Sequence, residues 1–224
     1  QQKNQQRIIA SISHDIKTPL TSILGYAERI KSGNISEKRR LEYLNTVYEK
    51  ALEIQELVDE FDEYLGYNMT KQVCTEKVTT PEIVSALESE YGAELEMSGV
   101  DFSVVNNAPK ASVMIDIMKM RRVVGNIIGN SVKHMHDKEK KIVVEISCDR
   151  ENVYCNIADS GDGVEDEKLE IIFEPLYTSD EGRKVAGLGL AICREIVESH
   201  GGSIYARHST LGGLEVCIEL QKVK

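Results

Sequence analysis

The sequence predicts an α + α/β chain: an antiparallel helical hairpin that pairs with a second copy into a dimeric four-helix bundle, followed by a two-layer α/β sandwich. Three observations carry this. Isoleucines recur at heptad spacing from Ile9 to Ile30, a second heptad run follows Ser36, and beyond Thr70 the period changes to short strands interleaved with helices. With 224 residues, 41% of them hydrophobic, the chain can bury two cores and is too apolar to be disordered.

In the first helix Ile9, Ile16, Ile23 and Ile30 form a seam, with Ile12, Pro19 and Tyr26 three positions on. Gly33 stops it, Ser36 caps the next, and Leu44, Ala51, Val58 and Leu65 make a second seam with Val47, Ile54 and Phe61 between them. Leu41, Leu52 and Leu57 widen that stripe beyond what one hairpin buries, hence the expected homodimer. The polar run from Gly66 to Thr70 marks a boundary, giving a helical domain over 1–66, a linker over 67–72 and an α/β domain over 73–224. In the latter, strands are expected near 72–78, 101–106, 112–115, 141–149, 152–159, 203–208 and 214–220. Helices are expected near 81–97, 116–134, 166–172 and 187–200, with Thr80 as an N-cap before Pro81. Turn-linked neighbouring strands predict a mixed sheet with helices on one face.

Composition narrows the function. A net charge of -10, with the basic runs Lys38-Arg39-Arg40 and Lys138-Glu139-Lys140-Lys141 each beside acidic residues, points away from nucleic acid. Five scattered cysteines without CxxC spacing fit neither a disulfide framework nor a zinc site. No apolar run reaches the roughly 18 residues of a membrane span, and a start lacking Met suggests a piece of a longer protein.

Four groups of residues carry possible chemistry. His14 lies about 140° around the helix from Ile9 and so faces solvent; Asp15 adjoins it, Thr18 lies one turn on, and Pro19 leaves the Asp15 carbonyl without its helical donor. A neutral imidazole is a competent nucleophile toward phosphorus, and a neighbouring carboxylate can hold its other N–H. Asn126 and Asn130 sit one turn apart on a helix that also carries Lys133 and His134. An Asn oxygen suits Mg²⁺, Lys133 suits phosphate, and a plain solvated helix face is equally consistent. Asp159-Ser160-Gly161-Asp162-Gly163 follows a strand, allowing a tight turn beside a flat ligand, with Asp159 able to accept from an exocyclic amine. An EF-hand is disfavoured, because Gly161 and Gly163 stand where oxygen ligands belong. Gly187-Leu188-Gly189 opens a helix whose free N–H groups could meet phosphate.

The string Ser13-His14-Asp15-Ile16-Lys17-Thr18-Pro19-Leu20 closely resembles the phosphoacceptor box of sensor histidine kinases. The order Asn126/Asn130, Asp159 loop, Phe173-Glu174-Pro175 and Gly187/Gly189 resembles the boxes of the same family's nucleotide domain, of histidine-kinase/gyrase type. The resemblance implies that His14 is phosphorylated from ATP, that Asp15 is its general base, and that Asp15 with Thr18 serves dephosphorylation of a partner. It further implies that Asn130 coordinates Mg²⁺, that Asp159 recognises adenine, and that Gly161, Gly163, Gly187 and Gly189 shape the pocket. Residues 176–186 become a lid in which Arg183 and Lys184 are candidate phosphate contacts. The implied partner is a response-regulator receiver domain, and the implied setting is the cytoplasmic part of a membrane-anchored sensor whose anchor lies outside this chain. The chain departs from the family pattern at Ser160, often Asn, and at Lys184-Val185, often glycines.

Overall fold

The first helix, α1 (Gln2–Lys31), runs unbroken through Pro19, and α2 (Glu37–Met69) packs beside it as a hairpin. The computed structural model describes residues 2–33, 35–69, 73–136, 139–177 and 187–223. Ser36 caps α2 as expected, its hydroxyl accepting from the Arg39 N–H at 3.4 Å. Tyr26 and Tyr43 join the two helices with ring centroids 5.1 Å apart.

The α1 seam falls largely where expected: Ile12 and Pro19 are buried and Ile16, Ile23, Tyr26 and Ile30 partly covered, but Ile9 is 48% exposed and Ile8 is buried in its place. On α2, Tyr43, Val47, Ile54 and Phe61 are partly covered and Leu57 is buried, whereas Leu44, Ala51 and Val58 are exposed. A heptad of isoleucines does not say which of two neighbouring apolar positions faces inward, because a 3.6-residue helix drifts around any strict seven-residue line. Leu65 lies among the side chains left undescribed. The expected break at Gly66 is also absent: α2 continues to Met69, so residues 67–69 of the expected linker are helical, and 70–72 lie outside the described residues. One glycine costs a helix only about 1 kcal/mol, and no proline follows to stop it.

The α/β unit follows as β1 (Glu76–Thr79), α3 (Thr80–Met97), β2 (Asp101–Asn106), β3 (Ser112–Ile115), α4 (Ile117–Lys133), β4 (Lys141–Cys148), β5 (Asn152–Asp159), α5 (Gly189–Ser199), β6 (Ser203–His208) and β7 (Leu214–Gln221). The main sheet has the order β2-β4-β5-β7-β6, parallel only between β2 and β4. β1 and β3 do not join it but form their own antiparallel pair, tied to the end of β7 by a bridge between Val113 and Lys222. The first strand is shorter than expected, starting at Glu76. The expected helix near 166–172 is two 3₁₀ turns, Asp166–Lys168 and Ile171–Phe173, and α5 starts at Gly189 and ends at Ser199.

The apolar face of the sheet alternates as a half-buried sheet must: Ile142, Val144 and Ile146 on β4, Val153 and Ile157 on β5, and Val216, Ile218 and Leu220 on β7. Asp159 stands on this same face, opposite Ile142. α4 buries Met120, Val123, Val124, Ile127 and Ile128, and Ser131 continues that stripe. A buried carboxylate and a buried hydroxyl within an apolar layer mark where the site lies.

Candidate functional site

On α1 the His14 side chain is 67% exposed and Asp15 is 17% exposed. The His14 Nδ1 lies 3.3 Å from Asp15 Oδ1. An ionised carboxylate only accepts, so this long hydrogen bond places the ring proton on Nδ1 and leaves the Nε2 lone pair open to solvent. The Thr18 hydroxyl donates to the His14 carbonyl at 3.3 Å, and the Ser13, Thr21 and Ser22 hydroxyls likewise turn back to carbonyls one turn earlier. Such back-bonding loosens a helix locally, beside a proline that already removes one donor. The three residues expected to border one accessible patch do so.

In the α/β unit Asp159 is 6% exposed and thoroughly held. Its Oδ1 accepts from the Gly161 N–H at 2.9 Å and the Leu214 N–H at 3.0 Å, and its Oδ2 accepts from the Ser131 hydroxyl at 2.8 Å. A carboxylate offers about four acceptor positions. One therefore remains, on Oδ2, and it suits an N–H donor of a ligand.

Gly161 is required by close approach: a β-carbon there would lie 2.9 Å from the His134 carbonyl oxygen and 3.0 Å from Asp159 Oδ1. Gly163 has φ +69 and sits against Gly213. Gly213 is tighter still than Gly161, since a β-carbon there would overlap Asp159 Oδ1 and the Gly161 nitrogen. Sequence reasoning missed Gly213 because only the β5–β7 pairing brings it to the Asp159 loop. It missed Ser131 too, although a serine on the apolar stripe of α4 signals a buried hydroxyl in need of a partner.

The polar row of α4 divides. Asn126 donates from Nδ2 to the Gly189 carbonyl at 3.4 Å, tying α4 to the start of α5. Asn130 is half-buried, and its amide bonds no protein group among the described residues, so its oxygen is available to a hard cation. Lys133 is exposed, and His134 caps α4, where its carbonyl accepts from the Asp162 N–H at 3.2 Å. The His134 imidazole is pushed below the ordinary histidine range, first by burial and then by the charges of Lys133 and His136. Ser160, the departure from the family pattern, serves the loop itself: its hydroxyl donates to the Glu139 carbonyl at 2.8 Å and accepts from the Lys141 N–H at 2.9 Å.

Gly189 opens α5 with an ordinary 3.8 Å approach to Asn126, so its small size is not demanded by that neighbour. Gly187 has φ +50, its carbonyl accepts from the Leu176 N–H at 3.2 Å, and a β-carbon on it would strike the Tyr177 carbonyl; Leu188 is fully buried. Arg183, Lys184 and the rest of 178–186 in the expected lid lie outside the described residues. Phe173 is buried, with the Arg194 guanidinium 4.9 Å from its ring centroid.

Comparison with known proteins agrees with both halves. Residues 4–64 match the His Kinase A (phospho-acceptor) domain, and residues 115–224 match the histidine kinase-, DNA gyrase B- and HSP90-like ATPase family. The chain is 30% identical to the sensor protein VanS of Enterococcus faecium, over 92% of this chain and 54% of that protein. It is also 30% identical to the sensor histidine kinase CpxA of Escherichia coli (strain K12), over 99% of this chain and 48% of that one. The chain thus spans about half the length of the curated relatives it matches. The fold is that of histidine kinase ThkA in its crystal structure with the response regulator protein TrrA, at TM-score 0.80 and 22% identity over 99% of this chain and 65% of that one. The histidine kinase AdeS of Acinetobacter baumannii shares it at TM-score 0.63 and 20% identity, over 93% and 97%. A phospho-acceptor hairpin with an exposed His14, followed by an ATPase domain of this type, places the chain among the sensor histidine kinases of two-component systems.

Proposed function

We propose that this chain phosphorylates His14 from ATP and passes the phosphoryl group to an aspartate of a response-regulator receiver domain. The observation that carries the reading is the His14–Asp15 pair: an exposed imidazole whose Nδ1 proton faces a carboxylate, with Nε2 free to attack. ATP supplies the γ-phosphoryl, and Mg²⁺ offsets the charge on its phosphates. The site's residues fit both groups. Gly161 and Gly213 let the loop backbone close directly on Asp159, one acceptor on Asp159 Oδ2 is left for the adenine amine, and the Asn130 oxygen is open to Mg²⁺. As Nε2 forms its bond to phosphorus and ADP departs, the imidazole gains positive charge, which Asp15 offsets through Nδ1.

Lys133, near Asn130 on α4, is a candidate phosphate contact, as are Arg183 and Lys184. The hairpin acts as a homodimer in this reading, since Leu20, Leu24, Leu41, Leu44 and Leu52 stay exposed on it and leave an apolar stripe to cover. Among the described residues no helix is long and apolar enough to cross a membrane. The response-regulator partner is supported by the ThkA structure, which contains one.

Thr18 supports a second activity, dephosphorylation of the regulator: its hydroxyl sits one turn from His14 on the same accessible patch. Thr18→Ala separates the two roles, because Asp15 is implied in both. We expect Asp15→Asn to slow autophosphorylation at least about tenfold, the range of a general base and its charge. Thr18→Ala should retain autophosphorylation while losing regulator dephosphorylation. Equal loss of both activities in Thr18→Ala would remove the division of labour.

A further inference from the structure

We infer that Ser131 is a specificity-determining positioning residue that makes the base pocket selective for 6-amino over 6-oxo purines; this deepens, and rests on, the reading of the Asp159 site as a nucleotide pocket. The observation is the hydrogen-bond inventory of a buried pair. Ser131 is 4% exposed and Asp159 is 6% exposed, so neither is solvated enough to exchange partners with bulk water. The Ser131 hydroxyl has one proton, and it is committed to Asp159 Oδ2 at 2.8 Å. What Ser131 has left is lone pairs.

Asp159 Oδ1 is filled by the Gly161 and Leu214 N–H groups, and Oδ2 keeps one lone-pair position beside the Ser131 bond. The pair therefore presents acceptors only. An exocyclic amine, as on adenine, satisfies the remaining position. A carbonyl at the same place, as on guanine or hypoxanthine, would set acceptor against acceptor, with no protein proton free to turn between them. Either group alone would discriminate less. Without the Ser131 hydroxyl a water molecule can take its place, and with two protons it can donate both to the carboxylate and to a 6-oxo group, which the one-proton hydroxyl cannot. A serine without the carboxylate could rotate its proton toward the ligand.

The position of Ser131 makes the arrangement rigid. It occupies the buried stripe of α4 one turn after Ile127, directly after Asn130. Its hydroxyl reaches β5 from the helix, while Leu214 reaches Asp159 from the start of β7. The Asp159 carboxylate is thereby gripped from three elements, and the plane of its Oδ2 is set by the one contact that comes from a side chain.

The test measures equilibrium affinity of the whole chain for ATP and for inosine triphosphate in the wild type, Ser131→Ala and Ser131→Thr, with thermal unfolding recorded for each. In Ser131→Ala the ATP-over-inosine-triphosphate ratio should fall roughly fivefold to tenfold, the worth of one hydrogen bond, with inosine triphosphate binding as well as or better than before. Ser131→Thr, which keeps the hydroxyl, should hold the wild-type ratio to within about twofold. An unchanged ratio in Ser131→Ala would overturn the proposal, as would equal loss in both variants while they unfold at the wild-type temperature. Failure of the wild type to bind either nucleotide would instead overturn the nucleotide-pocket reading beneath it.

Discussion

His134 serves the site through its backbone and carries a titration in its ring. Its carbonyl accepts from Asp162 and forces glycine at 161, so the residue helps shape the Asp159 loop whatever its protonation state. Its imidazole sits below the ordinary value of 6.5 because burial penalises the cation and Lys133 and His136 add positive charge, against smaller opposing effects of Asp159 and Asp162. Below 6.5 the unfolded chain then binds more protons than the folded one, so the contribution of this group to stability falls as pH drops through that window. The urea midpoint should decline between about pH 7 and about pH 5.5 by more in the wild type than in His134→Gln. Parallel declines would show that the ring does not resist protonation. His14 and Asp15 were legible together because they adjoin in sequence, and Asp159 because one of its donors, Gly161, lies in its own loop. Ser131 and Gly213 were not, since each reaches Asp159 only through the packing of α4 and β7 on β5.

At the level of elements, local chemistry decided boundaries that pattern alone misplaced. The N-cap of α3 is Thr79 rather than Thr80: Thr79 accepts from the Glu82 N–H at 3.4 Å, and Glu82 returns the bond to the Thr79 N–H at 2.8 Å. Thr80 instead buries its hydroxyl on the Ala108 carbonyl at 2.6 Å, so two adjacent threonines do different work. Thr79→Ala should lower unfolding free energy by about 1 kcal/mol, read as a shift in denaturant midpoint at constant slope. No shift would mean that the capping box contributes nothing in solution. Most strands and long helices of the α/β unit were readable from the period of their apolar residues. The region 166–173 was not, because two 3₁₀ turns carry too few residues to show a helical period.

For the molecule as a whole, the hairpin carries a second apolar stripe. Ile9, Leu20 and Leu24 fall on one side of α1, and Leu41, Leu44, Tyr48 and Leu52 on one side of α2, all exposed. Two of the three leucines that suggested a dimer from sequence, Leu41 and Leu52, belong to this stripe, whereas the third, Leu57, is buried. Leu44→Glu combined with Leu52→Glu should convert a dimer, observed by light scattering at micromolar concentration, into a monomer that keeps nucleotide binding. A wild type that is already monomeric would refute the bundle. The claim on which the rest depends is phosphorylation of His14, and incubation with γ-labelled ATP and Mg²⁺, comparing wild type with His14→Gln, tests it most directly. The account predicts acid-labile label on the wild type and none on the variant. Label that survives in His14→Gln, or a wild type that binds ATP yet takes up no label, would contradict it.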